Sequence, residues 1–209
     1  DGDFENPVFV VAPGNEVAVL LKSETKFTLN LTVSDDRALD YVTIQIPSVD
    51  GYGPKRIEAN GEKSIDFKDK ITLPSLLQVY HIVMTAYDKS GNSTIKTTTL
   101  TVSELQDFQK MYLADVATVE ELNSDVFGVP MRIDHVGEYE YEAQYYNQKA
   151  NTNIFFIPQK SDFAPICFGL DPEDNTRLTD DPETAKPIVL AQAGLYYKIR
   201  FNTMNSTYS

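Results

Sequence analysis

The chain has no tryptophan, one cysteine and two histidines among its 209 residues. A single cysteine excludes an internal disulfide and any zinc site built on cysteine pairs. Cys167 lies in the apolar stretch Ala-Pro-Ile-Cys-Phe-Gly and reads as a small buried hydrophobe rather than a reactive thiol. No long apolar run is present, so no segment reads as a membrane-spanning helix. Basic residues are scarce, with 18 Lys and Arg against 31 Asp and Glu and a net charge of −13. Both halves share the acid excess: residues 1–104 hold 15 acidic and 10 basic residues, and 105–209 hold 16 and 8. Nucleic acid is excluded as a partner, because its backbone needs Lys and Arg to displace counterions. A basic patch for anionic lipid is excluded likewise. His81 and His135 fall in different halves, and neither has a nucleophile at a catalytic spacing. No P-loop, dinucleotide fingerprint or zincin motif occurs. No enzyme activity and no cofactor are therefore expected. The chain begins at Asp1 rather than Met, and the expectation is that a leader has been removed.

Hydrophobic residues make up 42 % of the chain, enough for real cores. Their spacing is that of strands. Tyr80-His-Ile-Val-Met-Thr-Ala-Tyr-Asp88 alternates and runs into the turn Lys-Ser-Gly91-Asn92. A Thr-rich run from Ser93 to Val102 follows, which completes a hairpin. Upstream, Val8 to Val11 is an apolar strand. Lys26 to Val33 alternates strictly, with Phe27, Leu29, Leu31 and Val33 on one face. Tyr41 to Ile46 alternates again, and a weak strand pair is expected around Ile57 and Ser64–Leu73. Strands every ten or so residues with turns between them indicate a β-sandwich. Ser103 to Lys110 breaks this rhythm, which places a domain boundary near Leu105.

The second half is read as antiparallel β too. Met111–Thr118 is read as a strand leading into a loop, and further strands are expected at Pro130–Ile133, Glu138–Tyr145, Asn153–Ile157, Ile166–Gly169, Ile188–Ala191 and Gly194–Asn202. A short helix is expected at Val119–Asn123, and an acidic, Pro-bearing loop from Asp171 to Pro187. The expected fold class is all-β: two tandem antiparallel β-sandwich domains, residues 1–104 and 105–209.

The wording of the hairpin, aromatic-x-hydrophobic-x-x-x-Ala-x-Asp-x-x-Gly-Asn, resembles the last two strands of bacterial immunoglobulin-like surface domains. The second half has its own series: Met111-Tyr-Leu-Ala-Asp-Val-Ala-Thr, Pro130-Met, Ile154-Phe-Phe-Ile, Phe163 with Cys167-Phe-Gly-Leu-Asp171, and Ala193-Gly-Leu-Tyr-Tyr-Lys-Ile199. This order is similar to the starch-binding-type modules of SusE/SusF-like outer-membrane surface lipoproteins of gut glycan-degrading bacteria. The resemblance covers the whole chain, with the immunoglobulin-like domain first on a lipidated N-terminus. It implies a non-catalytic cell-surface protein of a polysaccharide-uptake system. A polysaccharide or oligosaccharide is then the ligand and outer-membrane transporter components are partners. Membrane contact would come only through a lipid anchor outside this chain. The alternative is a structural or adhesion protein whose β-sandwiches carry no glycan site.

Family members that grip glucans present Trp, which this chain lacks. Sugar faces stack on aromatic planes while hydroxyls need polar side chains, and Tyr or Phe can take that place. The second half holds 8 of the 12 Tyr and 7 of the 11 Phe. Phe163 stands where the family has its Trp, with Gln159 and Lys160 nearby; the ring would stack and the amine donate to hydroxyls. Tyr139, Tyr141 and Tyr145 share one face by their period of two, and a half-buried sheet face is the default for them. A sugar platform on that strand would use Tyr145 and the off-face Tyr146 at its end. In the first half, Asp35-Asp36 and Asp88-x-x-Gly91-Asn92 offer oxygens of the kind calcium takes if the two turns meet. Turn chemistry accounts for the same residues, and no metal is expected.

Overall fold

Where one face of a strand is buried, alternation forces every second residue inward. Leu29, Leu31 and Val33 obey this, as do Val42, Ile44 and Ile46, and then Tyr80, Ile82, Met84 and Ala86; all are buried. The computed structural model describes residues 2–209. It is all-β apart from one short helix. The chain divides into two compact units, one ending at Leu105 and the other spanning Gln106–Ser209.

The first unit has eight strands: β1 (Val8–Val11), β2 (Glu16–Leu20), β3 (Thr25–Ser34), β4 (Leu39–Gln45), β5 (Lys55–Glu58), β6 (Ser64–Leu73), β7 (Val79–Asp88) and β8 (Ser93–Ser103). They form a three-stranded sheet, β1-β3-β6, and a five-stranded sheet, β2-β8-β7-β4-β5. All pairs are antiparallel except β2 with β8, which run parallel with Glu16 opposite Thr99. That pair departs from the wholly antiparallel expectation, because the chain switches sheets between β1 and β2. β5 and β6 are not partners as the pattern implied; β5 pairs with β4 and β6 with β3. One apolar core serves both sheets, with Leu29, Ile44, Ile82, Met84 and Leu100 fully enclosed. Each such side chain contributes about 1.5–3 kcal/mol by leaving water.

The second unit contains β9 (Tyr112–Ala114), α1 (Val119–Leu122), β10 (Met131–Arg132), β11 (Asp134–Gly137), β12 (Glu140–Asn147), β13 (Thr152–Ile157), β14 (Gly169–Asp171), β15 (Asp174–Thr179), β16 (Ile188–Leu190), β17 (Leu195–Asn202) and β18 (Thr207–Tyr208). Two four-stranded sheets, β10-β9-β13-β16 and β11-β12-β17-β18, share a core. A small β14-β15 sheet lies beside them. The core is aromatic: Phe201 stacks on Phe156 at 4.3 Å and on Tyr141 at 5.3 Å between centroids. Thr118 caps α1, accepting from the Glu121 amide at 3.2 Å and donating to Glu121 Oε1 at 2.9 Å. Thr118 is thus an N-cap, with Glu121 reaching back to the cap hydroxyl rather than to its amide. Cys167 is 3 % exposed, and burial pushes its thiol up to about 12.

Three expectations for this half are corrected. Ile166–Gly169 is not a strand: Phe168 makes only an isolated bridge to Phe156, and the strand starts at Gly169. The supposed loop from Asp171 to Pro187 contains β15, paired with β14. There Leu178 sits opposite Leu170 and is buried, so packing outweighs the poor strand propensity of the acidic run. Tyr139 is not on the tyrosine strand. It occupies the β11–β12 turn at φ 58°, a conformation rare for a bulky residue. Its amide donates to Asp107 Oδ1 at 3.0 Å and its carbonyl accepts from the Thr203 amide at 2.9 Å, and these bonds hold it there.

Candidate functional site

The β12–β17 ribbon separates the tyrosines by face. Its register pairs Glu140 with Asn202, Glu142 with Arg200, Gln144 with Lys198, and Tyr146 with Tyr196. These pairs all lie on the outer face, because Tyr141, Ala143, Ile199 and Phe201 point into the core. Tyr146 is 45 % exposed and Tyr196 81 %. Their rings touch at 4.9 Å between centroids, inclined at 54°. An exposed aromatic pair is thus fixed at one end of a polar face. The next rungs carry Gln144 and Lys198, both exposed, and then charges that are already in contact. Arg200 bonds Glu140 Oε2 at 2.9 Å and approaches Glu142 Oε2 at 3.9 Å, while Lys198 lies 3.7 Å from Glu142 Oε1. Hydrogen bonds from Arg200 and Asn202 hold the Glu140 carboxyl below its usual range.

The end of the ribbon is stiffened from beneath. Asn147 is fully buried and donates to Leu190 O at 3.1 Å and Gln192 O at 2.9 Å. The Gly194 amide donates to Asn147 O at 2.7 Å, with Gly194 at φ +80°, where a side chain would be strained. The Tyr197 hydroxyl accepts from the Gln192 amide at 3.0 Å. The turn before β17 is therefore anchored on both sides, and Tyr196 leaves it in a fixed direction.

Tyr145 faces the other way from Tyr146. Its ring packs on the core and its hydroxyl donates to Asp115 Oδ2 at 2.7 Å. Burial, then the Asp115 carboxylate, pushes its phenol well above the ordinary value. Phe163 lies against the other sheet. Its ring meets Phe155 edge-on at 6.0 Å and joins a cluster with Ala114, Leu122, Ile157 and Cys167. Gln159 sits at the base of the same loop, its amide donating to Asp162 O at 2.9 Å and to Ile166 O. Lys160 is exposed at the loop's tip. Phe163, Gln159 and Lys160 are thus brought together in one loop, while Tyr146 belongs to a different sheet.

Tyr196 and Asn147 were not singled out by sequence reasoning. The alternation through Tyr196, Lys198 and Arg200 is visible in the sequence, but the partner strand and register are not. His135 contacts Asp107 Oδ1 through Nε2 at 2.8 Å and stacks on Tyr141 at 5.1 Å. Tyr141 in turn donates to Phe108 O at 2.6 Å. These bonds tie the start of the second unit to its core. No protein-family model, curated protein or solved structure matches the chain.

Proposed function

We propose that this chain is a non-catalytic, cell-surface glycan-binding protein of a bacterial polysaccharide-uptake system. The exposed Tyr146–Tyr196 pair beside Gln144 and Lys198 carries this reading. Aromatic faces suit the C–H surfaces of a pyranose. A neighbouring amide and ammonium, with carboxylates one rung further, suit its hydroxyls. The loop holding Phe163, Lys160 and Gln159 is a second surface for the same ligand class. Tyr146 and Tyr196 stand exposed on an outer sheet face, which favours a stretch of polymer over an enclosed monosaccharide.

The first unit supports an immunoglobulin-like spacer. Its β1-β3-β6 order matches strands A, B and E of that fold, and β8-β7-β4 matches G, F and C. The second unit is read as a carbohydrate-binding module on a β-sandwich. With the SusE/SusF-like resemblance, this gives an outer-membrane location through a lipid anchor and association with transporter components.

Affinity electrophoresis against a panel of polysaccharides tests the reading. Retardation by at least one glycan is expected, and Tyr196→Ala should abolish it. Loss on Phe163→Ala or Lys160→Ala instead would move the site to the loop. If no glycan retards the wild-type chain, the structural or adhesion reading takes its place.

A further inference from the structure

One end of the first unit gathers carboxylates. Asp35 and Asp36 follow β3, Asp88 ends β7, and Asp3 comes from the segment before β1. One carboxylate oxygen from each of Asp3, Asp35 and Asp36 lies within 4.8 Å of the others. Asp35 is 7 % exposed. Its Oδ2 accepts from the amides of Arg37 at 3.1 Å and Ala38 at 2.9 Å. Its Oδ1 is shut off from solvent and accepts nothing. In Asp3, Oδ1 accepts from the Glu5 amide at 3.1 Å, Oδ2 is buried without a donor from the backbone, and the carboxyl lies against that of Asp88. Turn chemistry therefore explains one oxygen of Asp3 and one of Asp35 and leaves the other unexplained. A buried carboxylate oxygen without a donor is costly, and two at one place are more so.

The surrounding bonds converge on the same point. Asn92 Nδ2 donates to Asp3 O at 3.1 Å and to Asp88 Oδ2 at 2.8 Å. It thereby draws the segment carrying Asp3 against the β7–β8 turn. Asp88 is itself satisfied, accepting from the Ser90 amide at 2.9 Å and the Asn92 amide at 2.8 Å. It forms the wall of the site rather than its centre.

We propose that Asp3, Asp35 and Asp36 bind a calcium ion. The donors are hard oxygens, with no His or Cys among them, which disfavours zinc. Calcium takes six to eight oxygens in flexible geometry and completes its shell with water, whereas magnesium demands a near-ideal octahedron. An ion here would be held by one oxygen from each of the three carboxylates. It also pins the segment before β1 to the turn after β3.

Isothermal titration calorimetry and thermal melting of the whole chain test this, after EDTA treatment and with calcium chloride added. Magnesium chloride and sodium chloride of equal ionic strength are the controls. A dissociation constant on the order of 10⁻⁴–10⁻³ M is expected, as for extracellular modules, with a calcium-specific rise in melting temperature. Asp36→Asn should weaken binding about tenfold or more, because site charge sets affinity. Asp36 is exposed, so that variant folds even if Asp35→Asn does not. The proposal is overturned if calcium gives no heat and no melting shift beyond the controls. It is equally overturned if Asp36→Asn and Asp3→Asn both bind calcium as the wild type does.

Discussion

Replacing Tyr145 with Phe removes one oxygen and leaves the packed ring in place. The lost hydroxyl donates at 2.7 Å to Asp115 Oδ2, linking β12 of one sheet to the residue after β9 of the other. A hydrogen bond to a charged acceptor contributes roughly 1.5–3 kcal/mol. Asp115 is only half-buried, so water can replace the lost donor. The lower bound, about 1.5 kcal/mol, is therefore the expected loss. With a urea m-value of about 2 kcal/mol/M, the midpoint of the second unit falls by roughly 0.7 M at unchanged m. The first unit contains neither residue, and its transition is the internal reference. A double-mutant cycle with Asp115→Asn should return about 1 kcal/mol of coupling. The alkaline limb gives an independent check. Burial and Asp115 raise the folded-state pKa of Tyr145. The added stability is thus fully present below the ordinary tyrosine value near 10 and is lost as pH rises through the higher folded value. The Tyr145→Phe variant lacks that extra alkaline loss. A stability change under about 0.5 kcal/mol with coupling near zero would refute the brace, since water would then serve Asp115 equally well.

Two further outcomes follow from the packing and the turns. Gly169→Ala should destabilise the second unit by about 1–3 kcal/mol in the same urea assay, because its Cβ would fall 2.5 Å from Lys186 O and 3.0 Å from Phe155 Cδ1; an unchanged midpoint would mean that this close approach relaxes freely. The Asp88 carboxyl is 2 % exposed; burial pushes its pKa up, but bonds from the Asn92 side chain and from the Asn92 and Ser90 amides outweigh this and hold it low. Its contribution is therefore present above the ordinary Asp value of about 3.9 and is lost as pH falls through the lower folded value, so acid titration of the first unit should show a steeper stability loss in wild type than in Asp88→Asn.

The strands that could be read from the sequence are those with one face in a core. Leu29, Leu31 and Val33 alternate because the solvent side of β3 is free to be polar, and the same holds for β4 and β7. β2 was not legible: Glu-Val-Ala-Val-Leu is short, partly exposed and close to a Pro-Gly turn. β15 was hidden by its charge, since Leu178 is its only buried residue. Tyr139 was drawn into the tyrosine stripe by spacing alone, because a positive-φ turn at a bulky residue leaves no compositional sign. The candidate platform was half legible. Tyr146 stood out at the end of its strand, but its partner depends on a register set by turns and core packing. The meeting of Asp35 with Asp3 is likewise a matter of tertiary placement.

The sheet switch near the start of the first unit has a consequence for how the chain is made. β1 shields β3 at the edge of one sheet, and β2 shields β8 at the edge of the other. The partner of β2, ending at Ser103, is the last strand of the unit to be synthesised. Until that strand emerges, Glu16–Leu20 has no permanent neighbour, and afterwards β8 is open until Glu16–Leu20 docks. Long-range pairing of this kind is slow, and an open edge invites another chain. A cell making this protein would gain from sheltering Glu16–Leu20 until β8 emerges. A single cut after Leu20 would sever the edge strands of two sheets from the rest of the unit.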